Sequence, residues 1–165
     1  MRAYHFVGET LRDGRPVPAD GEWLVHEGPF SMCESGLHAS EHPFDALQYA
    51  PGSILCFVDI ESEPAVSFQR GEDKVCGNRR RILARIEAEP LLMEFTRWCA
   101  LEVIHLWDDP DVVVNYLKTG DPRLSWAVAA ARAAVTAAEV VLATEEGSKQ
   151  RAKFAEMVHV AFGER

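Results

Sequence analysis

The sequence predicts an α+β fold: a small, mainly antiparallel N-terminal sheet with one short helix, packed against an α-helical C-terminal half. Two observations carry this prediction. Residues 1–89 alternate short apolar runs with glycine and proline turns, whereas residues 90–165 place apolar side chains at three- and four-residue intervals. The chain has 165 residues, of which 47% are hydrophobic, which is enough for one buried core. We therefore expect the two regions to form one cooperative unit.

Turn residues divide the N-terminal region into short extended segments. Glycine or proline bounds three predicted strands: Ala3–Val7, Glu22–His26 and Gly36–Ser40. Pro43 suits the first turn of a helix, with Ser40 or His42 near its N-cap. The run Ser53–Ile60 is apolar on both faces and is therefore expected to lie centrally in the sheet.

The rest of this region predicts a weaker strand at Ala65–Phe68 and a half-exposed strand that ends near Glu87. In the latter, Ile82, Ala84 and Ile86 alternate with Arg81, Leu83, Arg85 and Glu87, three of which are charged. We interpret the preceding arginines, Arg79–Arg81, as a solvated edge that discourages aggregation.

Helical periodicity begins at Pro90, and Asp-Pro pairs mark two further helix starts. A short helix is expected over Val112–Lys118, and an alanine-rich helix follows Asp121. Gly147-Ser148 then separates a final helix striped by Phe154, Met157 or Val158, and Phe162. The alanines favour close helix packing in a bundle, or alternatively a groove for a partner helix.

The charge pattern bears on localisation and partners. The net charge is −9, both halves are acidic, and no segment predicts a signal peptide or membrane span. We expect a cytoplasmic protein that contacts neither nucleic acid directly nor a membrane. The acidic charge fits a protein partner. In one version of this role, the chain is an acidic decoy that binds a nucleic-acid-binding protein. The oligomeric state stays open.

The four cysteines contain no C-x-x-C pair, so neither disulfides nor structural zinc is expected. Cys56 and Cys99 sit in apolar runs and predict small core residues. Cys33 and Cys76 are expected in loops as exposed thiols. We therefore expect no bound metal. The weaker alternative is a zinc site formed by Cys33, His38 and His42.

Chemically capable residues concentrate between Cys33 and Tyr49. Cys33 or Ser40 could act as a nucleophile with His5, His38 or His42 as base and Glu34 or Asp45 as orienting acid. No serine elbow, cysteine-protease context or glycine-rich phosphate loop accompanies them. We therefore predict no cofactor from the residues alone.

Part of this region resembles the ADP-ribosyltransferases. Tyr4-His5-Phe6 resembles their first strand, and Gly36-Leu37-His38-Ala39-Ser40 with Ala46 and Tyr49 resembles their second strand and following helix. The resemblance implies an enzyme that binds NAD, with His5 at the nicotinamide ribose and Tyr49 stacked on the nicotinamide. Catalysis would involve His5, His38 and Tyr49, and cofactor contacts would add Gly36 and Ser40. Glu87 is a positional candidate for the catalytic acid.

A second resemblance covers nearly the whole chain. Cys33-Glu34-Ser35-Gly36-Leu37-His38-Ala39-Ser40 is similar to the C-x-x-G-[FLV]-H-A-[CS] signature of an uncharacterised phage and bacterial family. The alanine-rich tail is similar to that of predicted immunity proteins. Ser40 stands where cysteine is frequent, which argues against a metal or redox role there. Within the signature, His38 is interpreted as tying loop backbone through its ring nitrogens, with catalysis as the alternative.

Together these observations predict a phage- or prophage-associated accessory protein that binds a host protein. Its most concrete form is counter-defence, with anti-CRISPR-like inhibition of a nucleic-acid-targeting immune complex. One alternative is an NAD-dependent ADP-ribosyltransferase-like enzyme, which convergence of His5, His38 and Tyr49 in one pocket would favour. Another is an immunity-type protein that neutralises a cognate toxin.

Overall fold

The computed structural model describes residues 1–62, 68–102, 104, 111–124 and 146–163. The chain divides into two compact units, one formed by Met1–Glu89 with Val158–Arg165 and the other by Pro90–Met157. All described strands lie in the first unit, and the second unit is helical in its described part, which confirms the predicted α+β class. The expectation of one cooperative unit stays a prediction.

The described residues form seven strands and four α-helices. The strands are β1 (Arg2–Val7), β2 (Trp23–Val25), β3 (Leu37–Ala39), β4 (Ile54–Glu61), β5 (Gln69–Arg70), β6 (Val75–Gly77) and β7 (Arg79–Glu87). The helices are α1 (Pro43–Leu47), α2 (Glu89–Glu102), α3 (Asp111–Thr119) and α4 (Glu146–Phe162), with a 3₁₀ turn at Pro122–Leu124. The predicted weaker strand and the alanine-rich helix fall largely outside the described residues.

Two antiparallel sheets make up the first unit. One has the strand order β1-β4-β7-β2 and the other β3-β6-β5. The central position predicted for the apolar strand β4 is confirmed, and β7 is also interior. Tyr4 and Ser40 join the sheets through two backbone hydrogen bonds, 2.7 and 2.9 Å long.

The core of the first unit collects small and β-branched side chains from both sheets. One face of the β1-β4-β7 layer contributes Ala3, Val7, Cys56, Val58, Ile60 and Ile82. β3 and β6 of the other sheet add Ala39 and Val75. Full burial of each valine or isoleucine contributes about 1.5–3 kcal/mol. This core holds His5 and Arg80 in place, because both lie on the same strand faces as its members.

The opposite face of β1 and β4 carries aromatic rings. Tyr4 and Phe57 lie with ring centres 5.3 Å apart, and the ring of Phe162 lies 6.5 Å and 6.0 Å from them. His159 stacks on Tyr4 at 6.5 Å. The last turn of α4 therefore belongs to the sheet unit.

The described part of the second unit is helical. Phe95 on α2 and Phe154 on α4 pack edge to face at 4.9 Å, and both are buried. Cys99 is buried beside them on the same face of α2, as predicted. α3 ends at Gly120, whose φ of +67° and hydrogen bond to the Tyr116 carbonyl close the last turn.

Three local predictions were wrong. Arg80 is buried in an interior strand and is not part of a solvated edge. Cys76 is fully buried because it lies in the middle strand of the second sheet. Gly147 and Ser148 lie inside α4 and do not precede it, since a helix tolerates these residues near its first turn.

Candidate functional site

The signature segment forms a tight loop that ends in β3. The backbone N–H of Cys33 donates a hydrogen bond to Nε2 of His38 at 3.2 Å. Since Nε2 accepts, the neutral ring carries its proton on Nδ1. Cys33 itself has a φ of +70°, an unusual conformation for a residue other than glycine. His38 therefore ties down loop backbone, as its structural interpretation predicted.

Gly36 is held in this loop for steric reasons. Its φ is +94°, and an added Cβ would lie 2.7 Å from Cβ of Phe30 and 2.8 Å from Sγ of Cys76. Ser40, two residues beyond His38, is buried and uses its backbone to join the sheets. Packing thus accounts for Gly36, and backbone pairing between the sheets accounts for the position of Ser40.

Arg80 lies at the junction of the two sheets. It is 6% exposed, and its guanidinium donates a hydrogen bond to the backbone carbonyl of His38. Burial lowers the pKa of Arg80 to about 10, so it remains positively charged at neutral pH. This residue connects β7 with β3 and places a cation beside both candidate histidines.

His5 lies on β1, opposite Cys56 on β4. Burial, then the positive charge of Arg80 and the proximity of His38, hold the pKa of His5 well below the usual value. Burial, then Lys74 and Arg80, also lower the pKa of His38, while a hydrogen bond with the Gly36 backbone acts in the opposite direction. Both imidazoles are therefore neutral at pH 7.

A shallow pocket opens beside His5 and Arg80. It measures about 250 Å³ including its open mouth. Its other walls come from the loop after β1 and from β2 and β7: Val7, Leu11, Val17, Pro18, Glu22, Leu24 and Ile82. We call it the Arg80 pocket. The enclosed part of this volume is about 10 Å³, enough for one water molecule, and the rest is open to solvent.

Tyr49 belongs to a separate, solvent-facing cluster. Its hydroxyl donates a hydrogen bond to Oδ2 of Asp73, and Nζ of Lys74 lies 3.3 Å from that hydroxyl and 4.4 Å from the ring centre. The bond to Asp73 raises the pKa of Tyr49. A hydrogen bond to the Cys33 side chain, then one to Tyr49, raises the pKa of Lys74. The cluster therefore joins Cys33 to Tyr49 through Lys74.

The predicted site residues are thus distributed over two places. His5 lines the Arg80 pocket, whereas His38 does not line it and contacts Arg80 through its backbone carbonyl. Gly36, Ser40 and Tyr49 do not line this pocket. Glu87 is exposed at the end of β7, opposite Ile54.

A third arrangement was missed by the sequence reasoning. On the face of the first sheet that carries Tyr4 and Phe57, but at its β2–β7 end, the guanidinium groups of Arg79 and Arg81 each lie 4.6 Å from the ring centre of Trp23. Arg79 pairs with Glu61 at 3.2 Å and Arg81 with Asp59 at 3.0 Å. With Val25, which is 42% exposed, these residues form what we call the Trp23 face. The sequence did contain a signal for this arrangement. Side chains alternate along a strand, so Arg79 and Arg81 must share one face while Arg80 points to the other.

Among the residues described, none of the helices combines the length and apolarity that a membrane-spanning helix requires. Nor do the described histidines, cysteines and carboxylates include three that are placed to hold a metal ion.

Comparison with family models matches residues 1–94 to DUF7666, a domain of unknown function. No curated protein and no solved structure matches the chain. The family match includes both sheets, the signature segment, the Arg80 pocket and the Trp23 face. Since it covers more than half of the 165 residues, the chain belongs to the DUF7666 family.

Proposed function

We propose that this protein acts by binding a partner protein through the Trp23 face. The observation that supports it is the Trp23 ring between two arginine guanidinium groups, each 4.6 Å away, beside an exposed valine. Tryptophan and arginine dominate the energetics of protein interfaces, because each combines a large flat contact surface with a polar group.

An open strand edge lies next to this face. β2 is the last strand of its sheet, and just beyond it the His26 N–H donates to the Asn78 carbonyl at 2.8 Å. Hydrogen-bonding direction alternates along an antiparallel strand, so the backbone groups of Val25 and Trp23 point away from β7. An extended segment of a partner can pair with them and lay its side chains on the Trp23 face.

The charge of the Trp23 face indicates what kind of partner segment it binds. Arg79 and Arg81 on this face, with Arg2 over the Phe57 ring on the same side, outnumber the carboxylates of Asp59 and Glu61. The whole chain, in contrast, carries a net charge of −9. An extended segment with acidic and aromatic residues therefore complements the face, whereas a basic segment would be drawn to the acidic remainder of the molecule instead.

The resemblance of the sequence to phage and bacterial proteins supports a role for this binding in counter-defence. In that form the partner is a protein of a nucleic-acid-targeting immune complex, inhibited in an anti-CRISPR-like manner. A cognate toxin is the alternative partner. The NAD-dependent alternative requires His5, His38 and Tyr49 to act on one ligand, whereas Tyr49 lies outside the Arg80 pocket that His5 lines.

The test is a phage-restriction assay in a bacterium with an RNA-guided nuclease defence. Wild-type protein should restore plaque formation and co-purify with a component of the immune complex, and Arg81→Glu should lose both because it repels the acidic segment. Arg123→Glu is the matched control, since Arg123 is exposed on the other unit and pairs only with neighbouring Asp121 among the described residues.

Equal activity of Arg81→Glu and the control would reject the Trp23 face. No effect of the wild type on defence, with no partner lost in Arg81→Glu, would reject the counter-defence function. Micromolar NAD binding by calorimetry that His38→Ala abolishes without unfolding would instead establish the enzyme alternative.

A further inference from the structure

The loop formed by residues 30–36, which we call the signature loop, is bound by side chains of the second sheet. His38 on β3 accepts a hydrogen bond from the Cys33 N–H at 3.2 Å. Gln69 on β5 accepts one from the Met32 N–H at 2.7 Å. Both strands therefore hold the loop by its backbone.

The middle strand of this sheet adds a third contact. Cys76 on β6 donates through its thiol to the Ser35 carbonyl at 3.4 Å, and its Sγ would lie 2.8 Å from a Cβ added to Gly36. In the strand register Cys76 lies opposite both His38 and Gln69, so the three side chains form one row on the same face. The signature loop covers this row, and Cys76 is fully buried beneath it.

His38 is the member of this row whose charge changes near neutral pH. Glutamine has no titratable group, and burial raises the pKa of Cys76 to about 11. An unperturbed histidine has a pKa of about 6.5. The neutral His38 ring accepts the Cys33 N–H through Nε2, whereas both nitrogens of a protonated ring are donors. Protonation therefore replaces this hydrogen bond with two donors that face each other.

The surroundings of His38 favour its neutral form while the loop is closed. Burial lowers its pKa most, followed by the positive charges of Lys74 in the turn before β6 and Arg80 on β7. Arg12, in the loop after β1, acts in the same direction, and a hydrogen bond with the Gly36 backbone acts against it.

The other titratable groups near the ring do not supply a compensating charge. His5 on β1 is itself held neutral by burial and by the charge of Arg80, which lower its pKa. In the loop, Cys33 and Glu34 are both exposed to solvent. Asp73, beside Lys74, is bonded to the Tyr49 hydroxyl. A proton on His38 is thus unfavourable until the loop opens and water reaches the ring.

We propose that protonation of His38 releases the signature loop and uncovers Cys76, so that this loop is an acid-sensitive cover on the second sheet. Closing the loop lowers the pKa of His38, so the open form takes up a proton more readily. Below about pH 6.5 the ratio of open to closed loop should rise up to about tenfold for each pH unit. This device goes beyond the proposed partner binding, because it involves the second sheet and not the Trp23 face.

The experiment measures how fast Cys76 reacts with a dipyridyl disulfide between about pH 7.5 and about pH 5, with peptide mapping to identify the modified cysteine. The starting protein is the whole chain with Cys33→Ser, which removes the exposed thiol and keeps the backbone N–H that His38 binds. Adding His38→Gln gives the matched control, because its amide oxygen can accept the same N–H but does not titrate. The rate ratio of the two proteins removes the pH dependence of the thiol reaction itself. We expect this ratio to rise about tenfold or more over the range.

Three further readouts separate release of the loop from other effects of acid. His38→Ala lacks the acceptor at every pH, so its Cys76 should already react at about pH 7.5. His5→Gln should keep the acid-dependent rise, because the described contacts of the loop do not include His5. Cys56, buried in the core of the same unit, should stay unreactive throughout.

The proposal is overturned if the rate ratio stays constant with pH. Reaction of Cys56 in step with Cys76 would also overturn it, since the whole unit would then be unfolding. So would an acid-dependent rise that His5→Gln removes, or a folded His38→Ala protein whose Cys76 stays protected at about pH 7.5. If His38→Ala fails to fold, the rate ratio against His38→Gln decides.

Discussion

Replacement of Gly36 by alanine tests the packing of the signature segment most directly. Gly36 has a φ of +94°, and the new Cβ would lie 2.7 Å from Cβ of Phe30 and 2.8 Å from Sγ of Cys76. Neither neighbour can withdraw easily. The Phe30 atom is attached to the backbone, and the Cys76 thiol donates to the Ser35 carbonyl at 3.4 Å.

Two terms make up the expected loss of stability. A side chain at this positive φ costs about 1–2 kcal/mol, and forcing packed neighbours apart costs about 1–3 kcal/mol. The free energy of unfolding should therefore fall by about 2–5 kcal/mol, or the Tm by roughly 4–20 °C for a chain of this size.

Gly28→Ala is a matched control for the backbone term. Gly28 has a φ of +91°, and an added Cβ there meets no atom within 4 Å among the described residues. It should lose only about 1–2 kcal/mol. Thermal and urea unfolding, followed by circular dichroism, measure both variants. If Gly36→Ala loses no more stability than Gly28→Ala, the close packing of Gly36 against Phe30 and Cys76 is refuted.

Three further predictions concern ionisable groups. Native protein should react with one equivalent of a disulfide-containing thiol reagent, because Cys33 is exposed and the other three cysteines are buried. The Cys33→Ser variant should not react. Rapid reaction of a second thiol in the native protein would contradict the burial of the other three. Because folding lowers the pKa of His5 and His38, the unfolded chain takes up protons first, and stability should fall as the pH drops below about 6.5. Unfolding midpoints of His5→Gln should depend less on pH in this range, and an unchanged slope would argue against a buried neutral His5. Asp73→Asn should lower the pKa of Tyr49, since the hydrogen bond to Asp73 is the main cause of its raised pKa. Ultraviolet titration of the phenol measures this pKa, and the Tyr49→Phe variant assigns the signal.

Local pattern predicted most of the strands because each of these is a short apolar or alternating segment next to turn residues. It also placed Ser40 or His42 near the N-cap of α1, and the structure selects His42, whose Nδ1 accepts from the Phe44 N–H at 3.2 Å. The same reasoning failed at Arg80, where three consecutive arginines suggested solvent. The phase of Ile82 already placed Arg80 on the inner face, but the carbonyl that receives its hydrogen bond comes from His38, 42 residues earlier.

The candidate sites depend on pairings that local pattern does not contain. Trp23 meets Arg79 and Arg81 only because β2 pairs with β7, a strand far later in the chain. The Tyr49 cluster likewise needs Asp73 and Lys74 from the turn before β6. The signature residues were visible in the sequence, whereas their contacts with cations such as Arg80 and Lys74 were not.

The last turn of α4 affects how the protein is made in the cell. The sheet unit includes Val158–Arg165, yet residues 90–157 must be translated before that turn emerges from the ribosome. At ordinary elongation rates this takes roughly 3–14 s. During that interval Tyr4 and Phe57 lack the covering ring of Phe162. A nascent chain therefore presents an aromatic sheet face that chaperones can recognise, and a truncated protein ending at residue 94, where the family match stops, would keep that face exposed permanently.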